Sequence, residues 1–376
     1  MTIHTEAGHG RTRPTIGTLA AARFPLVPRP KPACSTISDR VQRVRTQAGT
    51  ARRASSEALV KACEALNLAA LIYSDCGMPD TARDLCLRQF TAFTAAGPFD
   101  AATTKLALQP LINLGRLHTR AGDGVTAYEI HQQMFTAAAS GTAVQIADQT
   151  LDIGALVRPG TDHRKVLQWL WTVLLSDGLR ALCRSGQWAD ARIQAEKHHG
   201  IGDRLLDGRQ IAIIAAAADG DLTQARNLID TTACNDLWEL AVLSCLRVLT
   251  AMGSAPAEPT NHNAMYAAYL ALQPEPASTV FQVRTGLTVA DLAGPNPVPA
   301  SIVDAIRCNA GLADGYAAAE LLDHPVHQLL DPTVIDKLHA LVTAASLGAA
   351  PTGELADYLA DAAEDSLLTI ARHVGR

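Results

Sequence analysis

Four times this chain places a glycine and, five residues later, an alanine: Gly77/Ala82, Gly122/Ala127, Gly186/Ala191 and Gly220/Ala225. They stand in DCGMPDTARDL, RAGDGVTAYEI, RSGQWADARIQ and ADGDLTQARNL. Glycine ends a helix in the left-handed conformation without a Cβ penalty. The alanine lets the following helix lie close against the one just ended. Four such signals predict four helical hairpins stacked in an array, an architecture that mostly serves as a binding surface.

Composition agrees with helix. Apolar residues make up 48% of the 376 and aromatics only 4%, so the core must come from Ala, Leu, Val and Ile. Alanine carries the least helical cost of any residue. The Ala- and Arg-rich, Lys-poor balance is that of a GC-rich genome such as an actinomycete's. No apolar stretch reaches the roughly 20 residues that span a bilayer. The first apolar run, around Ile16 to Val27, is broken by Arg23, Pro25 and Pro28, which argues against a secretory signal. The eight cysteines show no CxxC spacing and fall mostly on apolar helical positions. A reduced cytoplasm is the expected location.

Aligning each glycine at position 15 of a 34-residue hairpin gives a consistent pattern. The first hairpin supplies Leu66, Ala69, Ala70, Tyr73, Gly77, Ala82 and Cys86. The second supplies Leu111, Leu114, Gly115, His118, Gly122, Ala127 and His131. In the third, Leu175, Gly178, Leu179 and Leu182 put the small residue one place early; in the fourth, Arg209 takes a large apolar position. The pattern resembles the tetratricopeptide repeat (TPR) over about 57–235 and implies an all-α fold, a right-handed α-α superhelix of antiparallel hairpins. The glycines lie 45, 64 and 34 residues apart, so only the last interval has the TPR period and the array is TPR-like.

The expected organisation runs as follows. Residues 1–35 form a disordered basic arm, rich in Gly, Pro, Thr and Arg, and 36–55 a short basic helix or linker. The array occupies 56–250, N-capped at Ser55 or Ser56, with an insert near 140–163. A breaker, MGSAPAEPTNHN, makes 251–262 a linker, and 263–376 form a helical extension of degenerate hairpins or a cap. No segment reads as strand. Residues 1–53 carry ten Arg/Lys against Glu6 and Asp39, a net of +8 on a chain whose formal total is −5. Such an arm suits nucleic acid or an acidic partner, or packs loosely on its own acidic body.

No Walker A loop, GxGxxG, HExxH, GxSxG or kinase set is present. The pairs His324/His327 and His198/His199 lack the i, i+4 helical spacing that holds zinc, so neither metal nor cofactor is expected. Lys105, Asp177 and Tyr73 are isolated proton-transfer candidates. Trp169, Trp171 and Trp188 are expected to fill core gaps. The polar junction 196–210 contributes His198, His199, Arg204 and Arg209 as secondary candidates, functional at a lip or merely capping helices.

The TPR resemblance implies a concave groove lined by first helices. It places there Asn67, Gln109, Arg116, Arg120, Arg180, Arg184, Asp207 and Gln210. The four arginines would form a positive stripe suited to an acidic peptide or a phosphorylated ligand. The other reading is that they are solvated cations at helix C-termini. Asn67 and Gln210 would pair with an extended peptide's backbone. The expected function is therefore non-enzymatic capture of a peptide or partner protein, with no membrane contact. A sensory protein of an actinobacterial transcription pathway is one alternative; an enzyme or accessory subunit in peptide tailoring is another.

Overall fold

All four glycines sit at helix ends with φ of +75°, +83°, +75° and +84°. All four alanines are fully buried. The left-handed residue reverses the chain, and the absence of a larger side chain lets the helices close up. In two of the turns the residue after glycine also caps the next helix: Asp123 accepts from Thr126 N at 3.2 Å and Asp221 from Gln224 N at 2.9 Å.

A computed structural model describes residues 15–29, 32–53, 56–94, 96–147, 149–252, 259–294, 296–311 and 314–375. After a short α1 (Ile16–Ala21) comes an extended segment, then α2 (Ile37–Arg53). The first two hairpins are α3 (Ala58–Asp75) with α4 (Pro79–Thr94) and α5 (Ala101–Arg120) with α6 (Gly124–Ser140). A two-stranded hairpin, β1 (Val144–Ile146) and β2 (Gln149–Leu151), and a turn of helix, α7 (Ile153–Leu156), fill much of the segment read as an insert. These strands correct the expectation of none; each has only three residues, too few for an alternation to show.

The third hairpin opens with α8 (Thr161–Val173), which passes through a π turn (Leu174–Gly178) into α9 (Leu179–Arg184), then α10 (Trp188–Lys197). A π turn absorbs one extra residue. This explains why Gly178 stands one place ahead of the repeat's small position. The fourth pairs α11 (Asp207–Ala218) with α12 (Leu222–Asp230). Helix α13 (Leu237–Ala251) follows. Next come α14 (Pro259–Leu270), α15 (Thr279–Leu292), α16 (Ala300–Ala310), α17 (Gly315–Leu322), α18 (Pro332–Ala344) and α19 (Glu354–Val374). Neighbouring helices pack in pairs throughout, so the fold is all-α and built of stacked helix pairs. Residues 253–258 of the expected linker, and Ser55, lie outside the described residues.

The last helix comes back to the first hairpin. Leu359 and Ile370 of α19 are buried with Val41 and Val44 of α2 and Leu66 of α3. Burying each such aliphatic contributes roughly 1.5–3 kcal/mol. Asp75, the last residue of α3, ties the ends together. Its carboxylate, only 3% exposed, accepts from Arg40, Arg120 and Tyr316, and its carbonyl from Gly348 N at 2.7 Å. Two cores result. One joins α2–α8 to α19; the other joins α9–α18 to the N-terminal segment through Ala20, Phe24 and Leu26.

That second core corrects the arm. Residues 15–29 are packed against the body, with Phe24 and Leu26 at 1% and 2% exposure; residues 1–14 lie outside the described residues. Composition excludes helix from a proline-rich stretch, but not an extended course held by side chains. Arginines of the basic segment are spent on body carboxylates: Arg23 on Asp291, Arg29 on Asp207, Arg40 on Asp75 and Arg52 on Asp365. Six of the eight cysteines are buried, Cys234 is half-buried and Cys308 exposed. Among the described residues no helix is long and apolar enough to cross a membrane.

Candidate functional site

The first helices of the hairpins line a groove with two unlike halves. Over α9 and α11 the groove is filled by residues 22–29. Gln210 is fully buried and reads both polar groups of Leu26. Its Oε1 accepts from Leu26 N at 2.8 Å and its Nε2 donates to Leu26 O at 2.8 Å and to Leu205 O at 3.0 Å. Arg184 donates to Ala22 O, Arg180 to Pro25 O at 3.4 Å, and Trp188 Nε1 to Gly17 O at 3.0 Å. Asp207, the first residue of α11, holds Arg29 at 2.7 Å and stands 3.9 Å from Arg180. Burial, reinforced by Arg29 alongside, lowers Arg180 to about 10; it stays charged at neutral pH.

Between α3 and α5 the groove is open, a cleft of about 450 Å³. Leu68, Leu71, Leu106 and Leu117 give it apolar walls. Across it runs a chain of amides: Gln109 Nε2 donates to Asn113 Oδ1 at 3.2 Å, and Asn113 Nδ2 to Asn67 Oδ1 at 2.9 Å. Arg116 bonds Asp177 at 2.9 Å, and Arg120 bonds Ser74 at 2.7 Å and Asp75 at 2.8 Å. Although burial opposes it, Arg116 holds the Asp177 carboxyl below the ordinary carboxylate range. Lys105 lines the cleft with its ammonium 5.8 Å from the Trp169 ring and has no carboxylate partner among the described residues.

His131 of α6 stands between the halves. Its ring lies so close to α5 that a Cβ on Gly115 would fall 2.6 Å from it, and its own Cβ faces Gly178 of the π turn. Neither ring nitrogen has a hydrogen-bond partner among the described residues. Burial pushes this imidazole down to about 4, so it is neutral at physiological pH.

The eight groove candidates thus divide. Asn67, Gln109, Arg116 and Arg120 line the open cleft; Arg180, Arg184, Asp207 and Gln210 hold the N-terminal segment. The arginines do not form a free positive stripe, because Asp75, Asp177 and Asp207 compensate three of them and a carbonyl engages Arg184. The junction candidates serve structure. Arg204 bonds Asp236 at 2.9 Å and Glu239 at 3.0 Å where α13 begins, and Arg209 bonds Leu228 O at 2.8 Å and Thr231 at 2.6 Å around the end of α12. His198 accepts from Trp171 Nε1 through its carbonyl and meets Phe135 edge-on; His199 is exposed with φ +52°. His324 accepts from Val326 N and so presents Nε2–H to Asp291 at 2.8 Å. Among the described residues no group of three His, Cys, Asp or Glu side chains is placed to hold a metal ion.

Sequence reasoning missed Asn113, Leu106 and the reading role of Trp188. The signal for Asn113 was present. Gln109, Asn113, Arg116 and Arg120 recur at three- and four-residue intervals, one polar face of α5. Comparison with protein-family models, curated proteins and solved structures finds no match for this chain.

Proposed function

We propose that this chain is a non-enzymatic helical-repeat protein that holds an extended segment of a partner protein in the cleft between α3 and α5. One observation carries the reading: in the filled half, an amide side chain of the groove pairs with both backbone polar groups of an extended segment, Gln210 with Leu26. The open half offers three amides, Asn67, Asn113 and Gln109, above apolar walls, the same side-chain chemistry facing an open cleft. They now satisfy one another, so an incoming backbone exchanges hydrogen bonds at little net cost while leucine surface is buried. Lys105 supplies the site for an acidic side chain of the ligand, which keeps an acidic residue in the expected partner.

The test is selection of binders from a displayed peptide library on the full chain. Selected peptides should share an acidic residue beside apolar ones. They should bind Asn113→Ala and Leu71→Glu variants at least tenfold more weakly, with the helical spectrum unchanged. Equal binding to both variants would place the ligand elsewhere and defeat the proposal.

A further inference from the structure

We propose that the groove over α9 and α11 is a second recognition site, for an extended apolar peptide flanked by arginines. Residues 22–29 are its resident occupant, replaceable in trans by a segment of the same pattern. The inference stands apart from the open cleft and rests on what the groove reads.

Everything it reads is either backbone or a short side-chain pattern. Gln210, Arg180 and Arg184 address the Leu26 amide and the carbonyls of Leu26, Pro25 and Ala22. Phe24 and Leu26 fill the apolar part of the second core. Asp291 takes Arg23 on one side of them and Asp207 takes Arg29 on the other. This half therefore selects a cationic flank, the reverse of the acidic guest that its arginines suggest in sequence. Among the described residues no backbone–backbone hydrogen bond holds 25–29, so the segment is bound as a ligand is bound, by side chains of other elements.

The fit is also incomplete. On the groove side, Arg180 Nε and one Asp207 oxygen are buried without a hydrogen-bond partner among the described residues. Each such group is costly to leave unmet, and a segment that satisfies them binds better than the resident one. The resident keeps its place through tethering, which gives it an effective concentration on the order of millimolar. A free peptide must overcome that advantage.

The probe is a fluorescein-labelled peptide of residues 15–29, titrated into the full chain and into a full-length Leu26→Asp variant whose own segment is weakened. The variant should bind the peptide at least tenfold more tightly than the parent chain. Adding Gln210→Ala should remove that gain, and a peptide with both Arg23 and Arg29 changed to Glu should not bind. A Leu26→Asp chain with native helical signal that binds no better than the parent overturns the proposal. Should that variant lose its helical signal, the parent chain decides. Excess peptide should then accelerate hydrogen exchange at the Leu26 amide at least threefold, and unchanged exchange overturns it.

Discussion

The two halves of the groove are built alike and used differently. Both rest on hairpins closed by a left-handed glycine and a buried alanine, and both carry arginines and amides on their first helices. Over α9 and α11 those groups are spent on residues 22–29, and Gln210 is sealed in the core. Between α3 and α5 the amides Gln109, Asn113 and Asn67 bond one another at the wall of an open cleft. The same side-chain chemistry thus bonds backbone in one half and bonds other amides beside an open cleft in the other. What distinguishes them is the partner each amide meets, backbone for Gln210 and side chains for Asn67 and Asn113, not residue type.

The largest effect should come from breaking the frame of the open half. Replacing Asp75 with Ala leaves Arg40, 6% exposed, without its carboxylate. Stranding one member of a buried pair costs about 3–5 kcal/mol. Denaturant unfolding should show that loss, and hydrogen exchange should show it first at α3 and α19 rather than at Leu26.

Next in size is a pH effect at the seam. Unfolded, a histidine takes its proton near pH 6.5; folded, burial lowers His131 to about 4. The unfolded chain therefore holds more protons between those values, and stability falls as pH is lowered through that window. The His131 share of the loss is about 3 kcal/mol at pH 4 relative to pH 7. Unfolding titrations of a His131→Leu variant should lack that part of the slope, and an unchanged slope would assign it to other groups.

Smaller effects sharpen the contrast directly. Gln210→Ala strands the Leu26 amide and two carbonyls and should cost about 2–3 kcal/mol, whereas Asn113→Ala in the open cleft should cost less than about 0.5 kcal/mol. Equal costs in denaturant unfolding would erase the distinction between filled and open. Between those two values, Arg116→Ala should cost about 1 kcal/mol in the same measurement, since its ion pair is half-exposed on the arginine side but its loss leaves the mostly buried Asp177 carboxylate without that cation.

Local punctuation made most of the fold legible. The helices ending at Leu292, Ala310 and Val374 are met by glycine, proline or both. The π turn was legible only as a misfit, Gly178 one place early, because an inserted residue shifts a register without announcing a conformation. The N-terminal segment was read as disordered because composition asks whether a stretch can bury a core of its own. Phe24 and Leu26 instead enter a core supplied by α11, α13 and α15. Gln210 was placed on the groove by repeat register, which fixes where a side chain stands. The compensation of Arg116 by Asp177 and of Arg120 by Asp75 depends on separate helices meeting, and one-dimensional spacing carries no trace of it.

The central claim is that the open cleft reads peptide backbone through its amides. It is tested most directly by scanning a selected peptide with backbone N-methyl groups against the parent chain and the Asn113→Ala variant. Methylation at one position should weaken binding to the parent at least tenfold and leave binding to Asn113→Ala unaffected by that same methyl group. Equal losses in both proteins, or no sensitive position at all, would contradict it.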